Sequence, residues 1–216
     1  SPLEGHAREL VMGCVGGKRA LVLRGRIHLN EAPADPELAK MARLQIEMLM
    51  QLGVRQLILT SAVGALRLRI GALHQLAVGN ICAIDGFVTL YAPDMPLYAG
   101  EFCSPEDTLD AKLRAMAVEE CGNLRVTAGG HAMVRGPFFE GRRYDKRLLA
   151  QTSASVVGMS ILPEACVAAL YGARVLALGF VTNDDMETHS HEENLARAKA
   201  ASAQLGGYLT RVVSRM

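Results

Sequence analysis

Short apolar, β-branched runs alternate with helical stripes along most of this chain, and that alternation restricts the fold more than any other feature. Strand-like runs fall at residues 20–23, 56–59, 80–84, 131–134, 155–157 and 174–181. Between them, residues 36–52 carry Leu38, Met41, Ala42, Leu44, Ile46 and Leu49 at helical spacing and stop at Gly53. Residues 108–121 follow Pro105 and stop at Gly122, and the alanine-rich residues 163–171 stop at Gly172. The last stripe, 191–213, aligns Leu195, Ala198, Ala201, Leu205 and Leu209. Apolar residues three and four apart bury one helix face, and glycine ends a helix because it takes up the left-handed cap without strain. Strands alternating with helices predict an α/β fold: a mixed, largely parallel β-sheet flanked by helices, in a single domain over residues 1–216. The least regular stretch, 84–106, holds three prolines and two glycines. A long loop of that kind in a compact domain is often functional.

Composition narrows function by exclusion. Half of the 216 residues are hydrophobic, enough for a sizeable core. A formal net charge of +1 argues against nucleic acid or a membrane surface as partner, because either demands a basic excess or stripe. No uninterrupted apolar run approaches the roughly eighteen residues of a membrane span, and the opening SPLEGHAREL lacks the regions of a signal peptide. Cys14, Cys82, Cys103, Cys121 and Cys166 are scattered without a Cys-x-x-Cys pair, the usage of reduced, buried thiols in a cytoplasmic protein.

The chemistry gathers at strand ends. Residues 175–181 form an apolar run that delivers Thr182, Asn183 and Asp184 to its end, and His191 follows at the mouth of a helix. In an open α/β sheet, small ligands bind beyond the carboxyl ends of strands. Arg24-Gly25-Arg26-Ile27-His28 ends another strand in a cationic cradle, where Arg26 can grip a phosphate bidentately. A solvated strand end is the plainer alternative. Thr60-Ser61-Ala62-Val63-Gly64-Ala65 reads as a small-residue turn whose backbone N–H groups can approach an anion. It matches neither GxGxxG nor GxxxxGK[ST], so neither a dinucleotide nor a nucleoside triphosphate is indicated.

Two further segments carry open alternatives. Gly158-Met159-Ser160 precedes Pro163-Glu164 at a helix start, where Ser160 either donates to an anion or caps the helix. Gly136-Pro137-Phe138-Phe139-Glu140 sets a carboxylate after two aromatics, suited to a planar heterocycle or simply to core packing. His189-Ser190-His191-Glu192-Glu193 contains a chelating His-x-His but no third ligand at standard spacing, and no HExxH, so no metal is expected.

In this order, Gly5-His6-Ala7, Gly25-Arg26-Ile27-His28, Leu59-Thr60-Ser61-Ala62-Val63-Gly64, Gly136-Pro137-Phe138-Phe139-Glu140, Val157-Gly158-Met159-Ser160 with Pro163-Glu164, Val181-Thr182-Asn183 and His191-Glu192-Glu193 resemble the trimeric purine nucleoside phosphorylase family. That family also includes methylthioadenosine phosphorylases, and the likeness covers nearly the whole chain. It implies phosphorolysis of a purine nucleoside to free base and pentose 1-phosphate. Inorganic phosphate is then the co-substrate, no metal or organic cofactor is needed, and the assembly is a homotrimer. The resemblance implies Arg26, His28, the backbone of Ala62, and Ser160 as phosphate ligands. Met159 and His191 would contact the sugar, and Phe139, Glu140 and Asn183 the base, with Asn183, Glu140 and His28 as the catalytic groups. Asparagine at 183 implies 6-oxopurines, because an amide can donate to O6 whereas a carboxylate accepts from an exocyclic amine. Asp184 follows at once, so a shift of one position would reverse that preference; the Thr182-Asn183 pair favours the first register. Phe102 is the candidate for a phenylalanine that covers the sugar of a neighbouring subunit.

Several positions depart from the family pattern. Nothing in the chain matches the family's leading strand and its phosphate-closing loop, so the domain is expected to lack them. Leu29-Asn30-Glu31-Ala32 follows His28 without the usual aromatic, and Val63 puts bulk into the expected phosphate turn. Asp85-Gly86-Phe87-Val88-Thr89 and Gly141-Arg142-Arg143-Tyr144 also differ. Three functions stay open on these grounds: a phosphorylase for inosine and guanosine, one for methylthioadenosine or another 5′-modified nucleoside, and an impaired relative that binds purines without turning them over.

Overall fold

Gly16 and Gly17 both take positive φ, +56° and +79°, the backbone of a two-residue hairpin turn. They join β1 (Glu9–Val15) to β2 (Lys18–Arg24), paired antiparallel from Glu9 opposite Arg24 to Val15 opposite Lys18. The apolar periodicity gives no sign of β1, since Leu10, Val11 and Met12 are all exposed and no face of the strand is buried. The Gly-Gly pair between two β-rich runs is the signal that would have found it. The computed structural model describes residues 6–31, 35–66, 76–89, 96–134, 136, 139–141, 143–184 and 190–216. Gly5, Ala32, Pro137, Phe138, Arg142 and His189, named above, lie outside the described residues.

After the hairpin come α1 (Pro36–Gln51), β3 (Gln56–Ala65), β4 (Ile81–Val88), α2 (Ala111–Glu119) and β5 (Val126–Met133). They are followed by α3 (Asp145–Leu149), β6 (Ala154–Gly158), α4 (Leu162–Leu170), β7 (Arg174–Asn183), α5 (His191–Ala200) and α6 (Ser202–Arg215). The sheet is mixed, as expected: β3–β7, β4–β5 and β5–β6 pair parallel, whereas β3–β6 and β4–β7 pair antiparallel. It is not open. The order β3-β6-β5-β4-β7 closes on itself as a barrel, which leaves these five strands no free edge. Register shifts at Val63/Gly64, Ile84/Gly86 and Gly130/His131 supply the local bends that closure requires.

β7 explains the packing. Its residues alternate between two clusters, which is why its sequence is apolar throughout rather than at every second position. Val175 and Ala177 join Ile46 and Leu49 of α1 and Ala165 and Ala168 of α4. Leu176 and Leu178 join Leu113 and Ala117 of α2 and Tyr208 and Val212 of α6. Tyr208 is fully buried and donates its hydroxyl to the Ala117 carbonyl at 3.0 Å, locking α6 to α2. The continuous helix expected over 191–213 is instead two. α5 is bound to the end of β7 through Arg197, whose guanidinium donates to the Thr182 carbonyl, whereas α6 is committed to α2.

One core residue makes stability depend on pH. His131 is fully buried in β5, edge-on to Phe87 at 5.7 Å, and neither ring nitrogen meets a hydrogen-bond partner among the described residues. Burial pushes its pKa down to about 4. The unfolded chain takes up this proton near pH 6.5, so between about 6.5 and 4 the unfolded state binds more protons than the folded one. Stability is therefore expected to fall as pH drops through that window, by up to about 3 kcal/mol for this residue. Urea midpoints measured from pH 7 to 4.5 check it: a His131→Phe variant should flatten the acid limb, and an unchanged limb would count against a neutral buried imidazole.

Candidate active site

The strap from Gly25 to Glu31 builds one wall of the site. Gly25 has φ +87°, and a Cβ there would lie 2.4 Å from the His6 Cα, so only glycine lets residues 6–7 cross over the strap. The crossing is used: the Arg26 N–H donates to His6 Nδ1 at 2.9 Å. The Ile27 N–H donates to Gln45 Oε1 at 2.9 Å and the His28 N–H to Glu31 Oε1 at 2.8 Å. Three consecutive backbone groups are thus fixed by side chains. Gln45 was missed in the sequence because it sits on the apolar face of α1 beside Ala42 and Ile46; a buried amide there must have a partner, and its partner is the strap.

Side chains diverge along this wall. Arg24 turns to the surface and pairs with Glu9 at 2.7 Å, so it leaves the expected cationic cradle. Arg26 turns inward, with Nη1 3.0 Å from Glu164 Oε1 and Nη2 on the Thr60 carbonyl. His28 Nδ1 accepts the Asn30 N–H at 3.1 Å, so the proton of the neutral ring sits on Nε2, free to donate. Burial, helped by the nearby Arg26 charge and opposed by Glu164, brings the His28 pKa down to about 4. At neutral pH His28 is an uncharged donor. His6 lies 5.9 Å from His28 between ring centres, its pKa also lowered, first by burial and then by Arg26.

The opposite wall comes from the β6–α4 junction. Ile161 holds φ +81°, a conformation that a β-branched residue adopts only under strain, and its fully buried side chain keeps it there. The turn presents Ser160 and the first-turn amides of α4, which receive no side-chain cap at Ile161. Ser160 is therefore not the cap. Its hydroxyl is 2.9 Å from that of Ser61 in β3. Arg26, His28, Met159, Ser160, Pro163 and Glu164 line a shallow, solvent-open cleft.

The expected phosphate turn is a correction. Residues 60–65 are the second half of β3, not a turn, because β7 runs alongside them in register as far as Val63 opposite Val181. Small residues have weak strand preference alone, and pairing overrides it. Alternation then exposes Ala62 and sends Val63 into the core, where a Cβ at Gly158 or Gly179 would meet its methyls at 3.3 or 2.9 Å. Its bulk is spent in packing.

Asn183 ends β7 beside β3 and β6. It is 3% exposed, and a Cβ at Gly64 would stand 2.8 Å from its Nδ2. Thr182 Oγ1 donates toward Asn183 Oδ1 at 3.3 Å. Asp184 next to it is only half-buried, and its carbonyl accepts from Lys146 Nζ of α3 at 3.4 Å. Glu140 is largely enclosed; burial raises its carboxyl above the usual range, with Lys146 opposing that shift. Met159 Sδ accepts from Asn30 Nδ2 at 3.1 Å, so the segment that follows His28 without the usual aromatic touches an expected sugar contact. Phe139 is 42% exposed and His191 is exposed at the first turn of α5. That turn begins with a capping box in which Ser190 and Glu193 exchange side chain–backbone hydrogen bonds, so Glu193 is committed to the helix start.

Known proteins resemble this chain in sequence and fold. Residues 2–214 match the sequence profile of the Phosphorylase superfamily. A purine nucleoside phosphorylase of Mycobacterium tuberculosis is 33% identical over 220 residues, an alignment covering 98% of this chain and 75% of the relative. A solved Schistosoma purine nucleoside phosphorylase in complex with hypoxanthine superposes with a TM-score of 0.84 at 26% identity, covering 100% of this chain and 80% of that one. The Schistosoma mansoni purine nucleoside phosphorylase in complex with inosine gives the same score and identity over 100% and 79%.

Proposed function

This chain belongs to the phosphorylase superfamily, and on that premise we propose that it is a purine nucleoside phosphorylase acting on inosine and guanosine. A phosphate oxygen bonds to the anomeric carbon while the carbon–nitrogen bond to the base breaks, and the bonding electrons leave with the purine. The products are free base and pentose 1-phosphate. The transition state puts positive charge on the sugar and negative charge on the base, so the site must hold an anion beside the sugar and a donor at the base.

The observation that carries the reading is the single cleft in which Arg26, His28 and Ser160 meet Met159. Arg26 contributes charge, while His28 Nε2–H, the Ser160 hydroxyl and the Ala62 N–H contribute directed donors to phosphate. Met159 and His191 contact the sugar. Phe139 lies against the purine, Glu140 accepts from its N1–H edge, and Asn183 donates to the side that gains charge. Burial of the Asn183 amide against Gly64, with Asp184 less buried, supports asparagine as the base-reading residue. The burial of Val63 removes one motive for an impaired relative. The proposed assembly is a cytoplasmic homotrimer. Phe102, 90% exposed, would cover the sugar site of a neighbour.

Hypoxanthine release from inosine, with and without phosphate, tests the reaction; release that ignores phosphate would overturn it. Asn183→Asp is expected to move the inosine-to-adenosine ratio of kcat/KM at least about tenfold toward adenosine. An unchanged ratio would mean that another residue reads position 6.

A further inference from the structure

We infer that Glu164 is a positioning residue for the anion cleft: its carboxylate holds the Arg26 guanidinium in place for an incoming phosphate without occupying the donors that phosphate needs. The inference rests on the phosphate-binding role proposed for Arg26. Neither the sequence motifs nor the expected ligand set assigns Glu164 any part in it.

A carboxylate in this position calls for an explanation. Glu164 is 6% exposed and lines the same cleft as His28 and Ser160. A buried negative charge beside a bound dianion repels it, and desolvating that charge is itself costly. Its partner accounts for its presence. Arg26 would otherwise be a largely enclosed cation on a long side chain with rotamer entropy to lose. The Glu164 carboxylate restrains Nη1 from one side, the Thr60 carbonyl takes Nη2 from another, and His6 fixes the backbone N–H. A guanidinium held at two points on a fixed backbone presents its remaining N–H groups in one direction.

The geometry of the pair is the decisive detail. Nη1 lies only 3.0 Å from Glu164 Oε1, yet Nη1 is buried and makes no well-directed hydrogen bond among the described residues. The attraction between the charges is present, but the N–H groups aim elsewhere. A buried donor left without an acceptor is costly unless a ligand supplies one. A phosphate oxygen entering beside Nη1 would supply one. The charges also cancel before the ligand arrives: Arg26 offsets Glu164, and His28 is neutral at pH 7. Phosphate is then held by directed donors rather than by net positive charge.

Three variants separate positioning from simple repulsion. Glu164→Ala removes the restraint, and the KM for phosphate is expected to rise about tenfold or more while kcat at saturating phosphate changes less than about threefold. Glu164→Gln keeps an oxygen toward Arg26 and drops the negative charge, so its phosphate KM should equal or fall below that of the parent. Glu164→Asp, which keeps the charge but withdraws it by one methylene, should raise KM severalfold and carries the test if the alanine variant does not fold. Lower KM in both the alanine and glutamine variants would make Glu164 only a repulsive charge and overturn the inference, as would unchanged KM in the alanine and aspartate variants. Calorimetric titration with inorganic phosphate keeps the two levels apart. Parent protein that binds phosphate no better than Glu164→Ala refutes the positioning role alone. Parent protein that neither binds phosphate nor releases hypoxanthine refutes the function and the inference with it.

Discussion

Arg26→Ala is expected to lower phosphate-dependent base release by about a hundred- to a thousandfold, the cost of removing one preorganised donor where charge develops. The variant also leaves Glu164 buried with no cation beside it. Breaking a buried pair from one side is far more damaging than removing both partners, so the thermal midpoint should fall as well. The two effects can be separated. Arg26→Ala with Glu164→Ala should recover much of the stability and none of the activity. Arg26→Lys keeps a positive charge but loses the planar fork, and should stay well below the parent in kcat/KM. Release within about threefold of the parent in Arg26→Ala would place the phosphate somewhere other than this cleft.

Arg43→Ala is expected to cause the largest loss of stability, about 3 kcal/mol, read as a thermal midpoint lower by about 6–12 °C. Arg43 is 3% exposed on α1 and donates in four directions. Nε reaches Glu47 Oε1 at 2.6 Å, Nη1 reaches the Pro96 carbonyl at 3.0 Å, and Nη1 and Nη2 grip Glu101 at 2.6 and 2.9 Å. Its guanidinium also stacks on Tyr98 at 4.0 Å from the ring centre. Glu47 in turn accepts the Tyr171 hydroxyl at 2.7 Å, so one side chain ties α1 to the segment from Pro96 to Glu101 and to the end of α4. These contacts draw both carboxyls below their usual range: hydrogen bonding to Arg43 leads for Glu101, and for Glu47 burial pulls upward but hydrogen bonds from Tyr171 and Arg43 together outweigh it. Arg43→Lys should lose less, since the charge remains while the fork and the stack go. A midpoint unchanged in Arg43→Ala would show that the network is a surface decoration. Because Phe102 directly follows this segment, the variant is also a means of disturbing that residue without touching the cleft.

What was legible depended on whether chemistry was local. Arg26, His28, Met159 and Ser160 stand in short motifs, and the fold brings them to one cleft. Gln45 was not singled out, and His6, Ser61 and Glu164 stood in motifs without a role of their own, because each acts on a residue distant in sequence. Ser61 meets Ser160 across 99 positions, and Gln45 meets Ile27 across 18. A glutamine or glutamate on a helix carries no local mark of its partner. Val63 misled for a related reason: composition suggested a turn, and only pairing with β7 makes residues 60–65 a strand and sends that side chain inward.

By itself, the sequence determined the α/β class, most of the strands and helices, and the identity of the groups that meet phosphate and purine in the proposed reaction. The class and the elements follow from periodicity, which depends on neighbours a few residues away, and the site groups follow from the family resemblance that the short motifs carry. Tertiary structure decided the rest. Five strands closed into a barrel rather than an open sheet because β6 pairs with β3 across one side while β4 pairs with β7 across the other. His28 became a neutral donor because burial depresses its pKa and Asn30 occupies Nδ1. Arg26 was aimed into the cleft by a carboxylate 138 positions later in the chain. Burial and long-range pairing are properties of the assembled chain, and no window of local sequence contains them.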